Sequence, residues 1–316
     1  GFIGSNYVRH VLATTDNAIT AFDALTYAGN LDNLHNLDDD PRFTFAEGDI
    51  CDREAVTAAM AGHDAVVHFA AETHVDRSLQ GAGAFITTDV YGSFVLLDAA
   101  RESDRLRCFV QISTDEVYGS VEKGSSRETD EIRPRNPYAA SKAGADRLAY
   151  SYWATHGVPV IITRGSNNYG RHQFPEKVIP LFVTNAIDRL PVPLYGDGKN
   201  IRDWLHVEDH CRAIDLLIEK GNAGEVYNIG GGNEVQNIDL THRILELLDR
   251  PTSLITPVED RLGHDRRYSV DTGKLRALGW RPRHPFEEGL RATVDWYRKN
   301  EWWWRPIKET DPAYRD

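Results

Sequence analysis

Three consecutive stretches decide the fold: Cys108-Phe-Val-Gln-Ile-Ser113, the segment Tyr138–His156, and Val160-Ile-Ile-Thr-Arg164. The first and third are short apolar runs typical of buried strands, whereas the middle segment carries apolar residues at helical spacing. Two strands joined by a helix form a unit with parallel strands, because the helix must carry the chain back across the sheet.

The same alternation runs through the preceding part of the chain. A helical pattern that includes Tyr7, Val8, Leu12 and Ala13 follows Gly4. Further strand patterns lie at Ala18–Phe22, Phe43–Phe45 and Ala65–Ala70, and further helical patterns at Arg53–Ala61 and Ile86–Arg101. The sequence therefore predicts an α/β fold with a Rossmann-like, doubly wound parallel sheet. Ligands of such sheets bind beyond the carboxyl ends of the strands.

The regular alternation ends at Arg164. Residues 165–200 are rich in Gly, Pro and Asn, and helical patterns then follow at Val207–Lys220, Ile238–Leu248 and Phe286–Lys299. We therefore predict a nucleotide-binding Rossmann domain over 1–164 and a smaller, mainly substrate-binding lobe over 165–316, with 203–232 returning to the first domain. For Trp302-Trp-Trp304, packing against the fold or a partner subunit is favoured over stacking on a ligand.

The composition excludes several classes of protein. A formal net charge of −12 over 316 residues argues against a nucleic-acid or membrane-surface binder. No apolar run approaches the roughly 18 residues that a membrane span needs. Cys51, Cys108 and Cys211 are odd in number and widely spaced, so we expect neither a disulfide framework nor a zinc site. The histidines lack metal-binding spacing, so we expect no metal, and the reduced cytoplasm is the expected compartment.

A dinucleotide site is indicated at the start of the chain, where Gly1-Phe-Ile-Gly4 lies directly before a helical pattern. Glycines at such a turn let the backbone approach a pyrophosphate at the helix N-terminus. The next strand pattern ends in Asp23, at the spacing of about 20 residues expected for an acid that binds the ribose of NAD and repels the 2′-phosphate of NADP. The alternative is that Asp23 is a cap or turn residue. We expect NAD, and a first strand with another glycine upstream of Gly1.

A second group of residues carries reactive side chains. Tyr138 and Lys142 are four residues apart on one helix face, where the lysine cation is expected to lower the pKa of the tyrosine so that it can accept a hydroxyl proton. Asp115 and Glu116 directly follow a buried strand pattern. Such a pair is often a solvated loop or cap. Beside a tyrosine and lysine of this kind, however, one acid can protonate a leaving hydroxyl while the other removes a carbon-bound proton.

Longer strings carry a resemblance to a known family. Ile112-Ser-Thr-Asp-Glu-Val-Tyr-Gly119 and Tyr138-Ala-Ala-Ser-Lys142 resemble the extended short-chain dehydrogenase/reductases and, more narrowly, the dTDP-glucose 4,6-dehydratases. The likeness covers nearly the whole chain and includes Leu25-Thr-Tyr-Ala-Gly-Asn30, His68-Phe-Ala-Ala-Glu-Thr-His-Val-Asp-Arg-Ser78, Ser166-Asn-Asn-Tyr-Gly170, Phe174-Pro-Glu-Lys-Val-Ile-Pro180, Tyr195-Gly-Asp-Gly-Lys-Asn-Ile-Arg-Asp-Trp204 and Gly263-His-Asp-Arg-Arg-Tyr268. Together these strings are highly specific, although no single one would be.

The resemblance implies a role for each reactive group. Tyr138 would deprotonate the glucosyl 4-hydroxyl during NAD-mediated oxidation at C4, while Lys142 would hold the nicotinamide ribose. Thr114 would hydrogen-bond the 4-oxygen. Glu116 would remove the C5 proton and Asp115 would protonate the departing 6-hydroxyl. The implied product is a 4-keto-6-deoxy sugar nucleotide, with NAD held as a prosthetic group.

The resemblance also implies binding residues. For NAD they are Gly1, Phe2, Ile3, Gly4, Asp23, Leu25, Thr26, Asp49, Ile50, Phe69, Ala70, Ala71, Thr88, Ser113, Tyr138, Lys142 and Asn168. For the nucleotide sugar they are His74, Thr114, Asn167, Lys177, Val178, Pro193, Tyr195, Arg202, Asn237, Arg261, His264 and Tyr268. The family further implies a homodimer formed through helices of the main domain.

The chain departs from the family pattern at a few positions. Leu262 replaces a usual Pro, Gly165 a common Cys, and Arg171-His172 a usual Pro-aromatic pair. These changes bear on fine positioning beside the ligand and leave the reactive groups intact.

Several alternatives remain open. One is a UDP- or CDP-sugar dehydratase, and others are a nucleotide-sugar 4-epimerase or decarboxylase. A catalytically silent NAD-binding protein is a further alternative. Asp115 and Glu116 disfavour an epimerase, which needs no acid/base pair, and retention of all five reactive groups disfavours a silent protein.

Overall fold

The computed structural model of the protein describes residues 1–310. Its strands are β1 Ile19–Asp23, β2 Phe43–Glu47, β3 Ala65–His68, β4 Cys108–Thr114, β5 Val160–Gly165, β6 Asn167–Tyr169, β7 Val192–Tyr195, β8 Ile201–His206, β9 Val226–Ile229, β10 Glu234–Gln236 and β11 Ile255–Val258. Its α-helices are α1 Phe2–Thr14, α2 Arg53–Met60, α3 Val75–Gln80, α4 Ala82–Phe85, α5 Ser93–Arg101, α6 Pro137–His156, α7 Val178–Asp188, α8 Val207–Lys220, α9 Asn237–Leu247, α10 Gly273–Ala277, α11 Phe286–Lys299 and α12 Glu301–Thr310.

The main sheet is parallel and has the strand order β3-β4-β5-β9. A second parallel pair, β1-β2, precedes it in the chain. In the register of β4 and β5, Thr114 lies opposite Gly165, so the carboxyl ends of both strands reach the same edge. Parallel strands linked by helices confirm the predicted α/β class.

Both faces of the main sheet are covered, as a doubly wound arrangement requires. Successive strand residues point to opposite faces, and here Val110 of β4 packs in one apolar cluster whereas Phe109 packs in another. The first cluster includes residues of α1, α8 and β9, and the second includes residues of α2, α5 and α6. The segment around 203–232 thus contributes a strand, β9, and a covering helix, α8, to the main sheet, while the division into two domains remains a prediction.

Predicted strands and helices form with ends shifted by one or two residues, with one larger difference. The predicted helix Ile86–Arg101 is a π-helix over Ile86–Gly92 followed by α5. A π-helical turn is wider than an α-helical one and is frequent at functional sites. Within it, the buried Asp89 contacts residues next to the site described below.

The C-terminal lobe packs around a tryptophan-rich core. The β10-β8-β6 sheet and the β11-β7 pair are flanked by α7, α9, α11 and α12. Trp303 and Trp304 are buried, and Trp303 Nε1 donates to Asn33 Oδ1 at 2.9 Å. Trp302 remains half exposed. Packing against the fold, the favoured interpretation of this tryptophan run, is confirmed for two of its three members.

Two further expectations concern the whole chain. None of the helices within residues 1–310 is long and apolar enough to cross a membrane. Cys51, Cys108 and Cys211 are free thiols.

Candidate active site

One cleft at the carboxyl ends of the main-sheet strands contains all of the predicted site residues. Its volume is about 2470 Å³, whereas a typical small-molecule pocket has about 300–1,000 Å³. The space suits two ligands side by side. Every residue predicted for NAD, for the nucleotide sugar and for catalysis lines this cleft. The individual roles of these residues remain predictions.

The two carboxylic acids are held at the end of β4. Asp115 and Glu116 begin a short 3-10 helix, Asp115–Tyr118, whose first residues are fixed by Thr114. The hydroxyl of Thr114 accepts a hydrogen bond from the backbone nitrogen of Glu116 at 3.2 Å and donates to Asp115 Oδ1 at 3.2 Å. The other oxygen of Asp115 is buried without a hydrogen-bond partner. A buried carboxyl oxygen left unpaired is suited to face a substrate group.

Burial raises the pKa of both carboxylic acids. Burial, followed by the neighbouring charges of Glu116 and Asp203, raises the pKa of Asp115 well above its usual range. Burial also raises the pKa of Glu116, but the cations of Arg202 and Lys177 oppose this shift. Asp115 therefore holds a proton more tightly than Glu116, so one can act as an acid while its neighbour acts as a base.

Tyr138 and Lys142 lie on the first turns of α6. The side chain of Asn136 caps this helix by accepting from Ala139 N at 2.8 Å, and Pro137 fits its first turn. Lys142 is buried, and its Nζ donates to the backbone carbonyl of Ile112 at 2.7 Å.

The electrostatic expectation for Tyr138 was wrong in direction. Burial and then the charges of Glu116, Asp89 and Asp115 raise the pKa of Tyr138 well above its usual range, although a hydrogen bond with Thr114 opposes this. Burial also lowers the pKa of Lys142. For Tyr138, burial and then the charges of three carboxylates set the direction of the shift, and neither could be deduced from the spacing of Tyr138 and Lys142.

Sequence reasoning missed Asp89, which supports this helix. One oxygen of Asp89 accepts from Ser141 Oγ at 2.5 Å, and the other accepts from the backbone nitrogen of Glu72 at 2.7 Å. Burial raises the pKa of Asp89 to about 6. No motif marks this position, because a single Asp inside an apolar helical pattern has no distinctive spacing. Asp89 joins the Tyr138–Lys142 helix to the strand end at residues 70–72.

The dinucleotide end of the cleft is built from α1 and the end of β1. The first turn of α1 carries no side-chain cap, so its backbone N–H groups are available to an anion. Asp23 accepts from the backbone nitrogen of Leu25 at 2.8 Å, and its other oxygen lies 2.8 Å from the nitrogen of Gly1. At the opposite end, Ser113 Oγ is buried without a partner.

The substrate end concentrates cations on an otherwise acidic protein. Arg202 is buried and its guanidinium lies 4.3 Å from the ring centre of Tyr268. Arg261 lies 4.5 Å from the ring centre of Tyr195, and its Nε is buried without a partner. Lys177 Nζ donates to Thr73 Oγ1 at 3.1 Å. Cations with unused donors are what a diphosphate requires.

Two carboxylates that sequence reasoning missed hold these groups in place. Asp76 forms an ion pair with Arg261 at 3.1 Å. Asp265 accepts from the hydroxyl of Tyr268 at 2.8 Å, and that hydroxyl also lies 3.4 Å from Glu116 Oε2. Both acids fall inside the family-like strings. Asp265 lies only three residues before Tyr268, whereas Asp76 is far from Arg261 in the sequence, so the pairing of Asp76 with Arg261 could not be deduced.

The remaining predicted substrate residues lie around the same end. His264 contacts Asp260 at 2.6 Å, and Asn167 Oδ1 and Asn237 Oδ1 are buried without partners. His74 has a positive φ of 91°, an uncommon backbone conformation for a residue with a side chain. Burial and nearby cations lower the pKa of His74 to about 3, so its ring is neutral.

The positions that depart from the family pattern differ in how closely they contact the rest of the fold. Leu262 is 79% exposed, so its side chain makes little contact with the fold. Gly165 adjoins the ring of His210, and a Cβ there would lie 3.2 Å from Cε1 of that ring. Arg171 bonds Asn6 through its Nε at 3.2 Å, while the buried His172 packs on Trp296.

Sequence reasoning also missed a group of three possible metal-binding side chains. His206, Glu208 and His284 offer ligand atoms within 4.8 Å of one another. The two histidines are distant in sequence, so no spacing motif reveals them. Hydrogen bonds to Asp209 and Glu208 raise the pKa of His284 to about 9, so at neutral pH this histidine carries a proton and forms ion pairs with both carboxylates.

Known proteins resemble this chain over nearly its whole length. A family model described as GDP-mannose 4,6 dehydratase matches residues 1–293. The dTDP-glucose 4,6-dehydratase of Streptomyces antibioticus is 54% identical over 316 residues, covering 98% of this chain and 93% of that protein.

Solved structures show the same architecture. DesIV, a dTDP-glucose 4,6-dehydratase from Streptomyces venezuelae with NAD and TYD bound, matches with a TM-score of 0.95 at 50% identity over 97% of both chains. The UDP-glucose 4-epimerase of Thermus thermophilus in complex with NAD matches with a TM-score of 0.87 at 30% identity, covering 95% of this chain and 97% of that one. The predicted Rossmann-like fold is confirmed, and the chain belongs to the GDP-mannose 4,6-dehydratase family.

Proposed function

We propose that this chain is an NAD-dependent dTDP-glucose 4,6-dehydratase. It would convert dTDP-glucose to dTDP-4-keto-6-deoxyglucose and water, a step of deoxysugar biosynthesis. The observation that carries the proposal is the acid pair of the buried Asp115 and the partly buried Glu116 in the same cleft as Tyr138 and Lys142. Relatives of that name at about half identity over the full chain support the substrate.

The residues of the cleft fit NAD. The uncapped start of α1 suits a pyrophosphate, and Asp23 beside it suits ribose hydroxyls. The unpaired hydroxyl of Ser113 leaves a polar atom for the other end of the cofactor. NAD, when bound, supplies the oxidant that accepts a hydride from C4 and later returns it to C6.

Tyr138 is the proposed base for the 4-hydroxyl of the sugar. Thr114, which lines the same cleft as Tyr138, would hydrogen-bond the 4-oxygen beside the phenol. Lys142 is anchored at Ile112, and its cation would stabilise the phenolate against the burial and carboxylate charges that raise the pKa of Tyr138. Oxidation at C4 makes the C5–H acidic, because the adjacent ketone stabilises the resulting carbanion.

Asp115 and Glu116 then perform the elimination. Glu116, with the less protonated carboxyl, removes the C5 proton, and Asp115, with the more protonated carboxyl, gives a proton to the departing 6-hydroxyl. The C–O bond at C6 breaks and water leaves. Arg202, Arg261 and Lys177 hold the diphosphate, and Arg261 exchanges its contact with Asp76 for the phosphate oxygens.

A homodimer formed through helices of the main domain is part of the proposal. Large apolar side chains are 36–54% exposed along the π-helix, α5 and α6, namely Ile86, Tyr91, Phe94 and Tyr150. Tyr91 and Phe94 contact each other, with ring centres 5.8 Å apart, and exposed apolar groups of this kind are typical of interaction surfaces. Tyr91→Lys should yield monomers in light scattering, whereas Trp302→Lys, at an exposed tryptophan of α12, should leave a dimer. Monomers of the unaltered chain would refute the dimer. The free thiols are consistent with a cytoplasmic enzyme.

The substrate is tested by separate incubation with dTDP-, UDP- and CDP-glucose. Loss of one water from dTDP-glucose, followed by mass spectrometry, is the expected result. If the protein dehydrates UDP- or CDP-glucose faster than dTDP-glucose, the substrate is that nucleotide sugar instead. Inversion at C4 without loss of mass would indicate a 4-epimerase instead, and turnover of none of the three would refute the dehydratase.

A further inference from the structure

His210, on the first half of α8, lies beside the residues proposed for the inner end of NAD. It is fully buried, and its Nδ1 is 2.9 Å from Asn168 Oδ1. Both residues line the cleft, and His210 also adjoins Gly165, which pairs with Thr114 in the sheet. None of the roles proposed above involves this histidine.

The hydrogen bonds around Asn168 determine which way its amide points. Asn168 Nδ2 donates to the backbone carbonyl of Ser166 at 3.0 Å. A carbonyl only accepts, so the amide nitrogen must face Ser166 and the amide oxygen must face His210. His210 Nδ1 therefore carries the hydrogen. The second hydrogen on Asn168 Nδ2 is left for another acceptor.

The protonation state of His210 follows from the same geometry. With hydrogen on Nδ1, its Nε2 presents a lone pair, and this atom is buried without a partner. Burial lowers the pKa of His210 to about 4, so the ring stays neutral at physiological pH. Gly165 lies against the ring, since a Cβ at that position would lie 3.2 Å from Cε1 of His210.

We propose that His210 is a positioning residue for NAD: its Nδ1–H locks the amide of Asn168 so that Asn168 offers an N–H to a carbonyl group at the inner end of the cofactor. The nicotinamide carboxamide supplies such a carbonyl. The inference rests on the proposed role of Asn168 in binding NAD. Without His210, the side-chain amide of Asn168 could rotate by about half a turn. Its oxygen would then face the carbonyl oxygen of the cofactor, and two acceptors cannot form a hydrogen bond.

Two substitutions separate this role from simple packing. Asn places a donor near the position of the histidine Nδ1, whereas Gln places its amide near Nε2. His210→Asn should therefore preserve the bond to Asn168, and His210→Gln should lose it. Loss of one buried hydrogen bond predicts about 5- to 30-fold weaker NAD binding for His210→Gln, while His210→Asn should stay within about threefold of the unaltered protein.

The measurement is calorimetric titration of cofactor-depleted full-length protein with NAD, with dTDP as a second ligand. Binding of dTDP should change little in His210→Asn and His210→Gln, and both should unfold cooperatively without NAD, with His210→Gln the less stable because it loses the buried hydrogen bond. Equal weakening of NAD binding in both variants, or unchanged binding in His210→Gln, would overturn the inference.

Asn168→Ala distinguishes failure of this inference from failure of the underlying role. If Asn168→Ala leaves NAD binding unchanged, the role of Asn168 is refuted and the inference falls with it. In a second outcome, Asn168→Ala weakens NAD binding and the added His210→Gln weakens it further, by the same factor as His210→Gln alone. In that case only the inference about His210 is refuted. The expected result is that the double variant binds NAD as weakly as Asn168→Ala alone.

Discussion

Replacing Glu116 with Gln is the most direct test of the elimination step. The amide keeps the size of the side chain and can still meet the hydroxyl of Tyr268, which lies 3.4 Å from Glu116 Oε2. It cannot accept a proton at C5. Loss of a general base costs about 10²–10⁴-fold in rate, which corresponds to about 3–5 kcal/mol of activation free energy. Substrate binding should remain intact, because the cations that hold the diphosphate are untouched.

Removing this charge also acts on its neighbours. The Glu116 carboxylate helps to raise the pKa of Tyr138 and of Asp115. Both pKa values should fall in Glu116→Gln, which favours the oxidation step and disfavours Asp115 as an acid. The variant should therefore oxidise C4 but fail to exchange the C5 hydrogen.

The assay combines turnover with isotope exchange. Product formation from dTDP-glucose gives kcat and KM, and incubation in D₂O followed by mass spectrometry reports exchange at C5. We expect kcat to fall by about 10²–10⁴-fold, with little change in KM and no deuterium at C5. Glu122→Gln, at an exposed glutamate beyond the same strand, is the matched control and should behave like the unaltered enzyme. Glu116→Gln with turnover near normal, or with C5 exchange retained, would refute the assigned base.

Three further outcomes are expected. Asp115→Asn should slow water loss by about 10²–10⁴-fold while C5 exchange continues, and equal loss of both would contradict the separate roles. The rate should fall as pH drops through the raised pKa of Glu116 and again as pH rises through the raised pKa of Asp115, so kcat against pH should be bell-shaped with an acid limb above the usual glutamate range of about 4.3. His284, whose pKa is raised to about 9 by Asp209 and Glu208, contributes stability that is complete below its ordinary pKa of about 6.5 and is lost as pH rises through about 9. His284→Gln should thus lower the melting temperature more at pH 6 than at pH 10, and an equal effect at both would argue against the ion pairs.

Local patterns were enough to predict the reactive groups. Tyr138 and Lys142 are four residues apart on one helix, and Asp115 and Glu116 are adjacent, so the geometry of each pair follows from short-range spacing. The apolar runs likewise predicted the main-sheet strands, because a strand buried on both faces has a strong sequence pattern.

Residues that act through distant partners could not be predicted. Asp89 reaches Ser141, and His210 reaches Asn168, only because the π-helix and α8 bring them together. The predicted direction of the Tyr138 pKa shift was wrong for the same reason. The local lysine was visible in the sequence, but the enclosing carboxylates come from separate elements, and their combined effect depends on burial.

The acid pair explains why oxidation in this cleft leads to loss of water. Two adjacent carboxyls in an enclosed cleft resist double ionisation. The pKa of Asp115 is raised by burial and by the charges of Glu116 and Asp203, whereas Arg202 and Lys177 oppose the rise in the pKa of Glu116. These shifts favour the arrangement that the proposed elimination needs, in which Asp115 is the acid and Glu116 is the base. In the proposed cycle Glu116 takes the C5 proton and gives a proton back to C5 when hydride returns to C6, while the proton that Tyr138 takes from the 4-hydroxyl makes up for the one that Asp115 gives to the 6-hydroxyl.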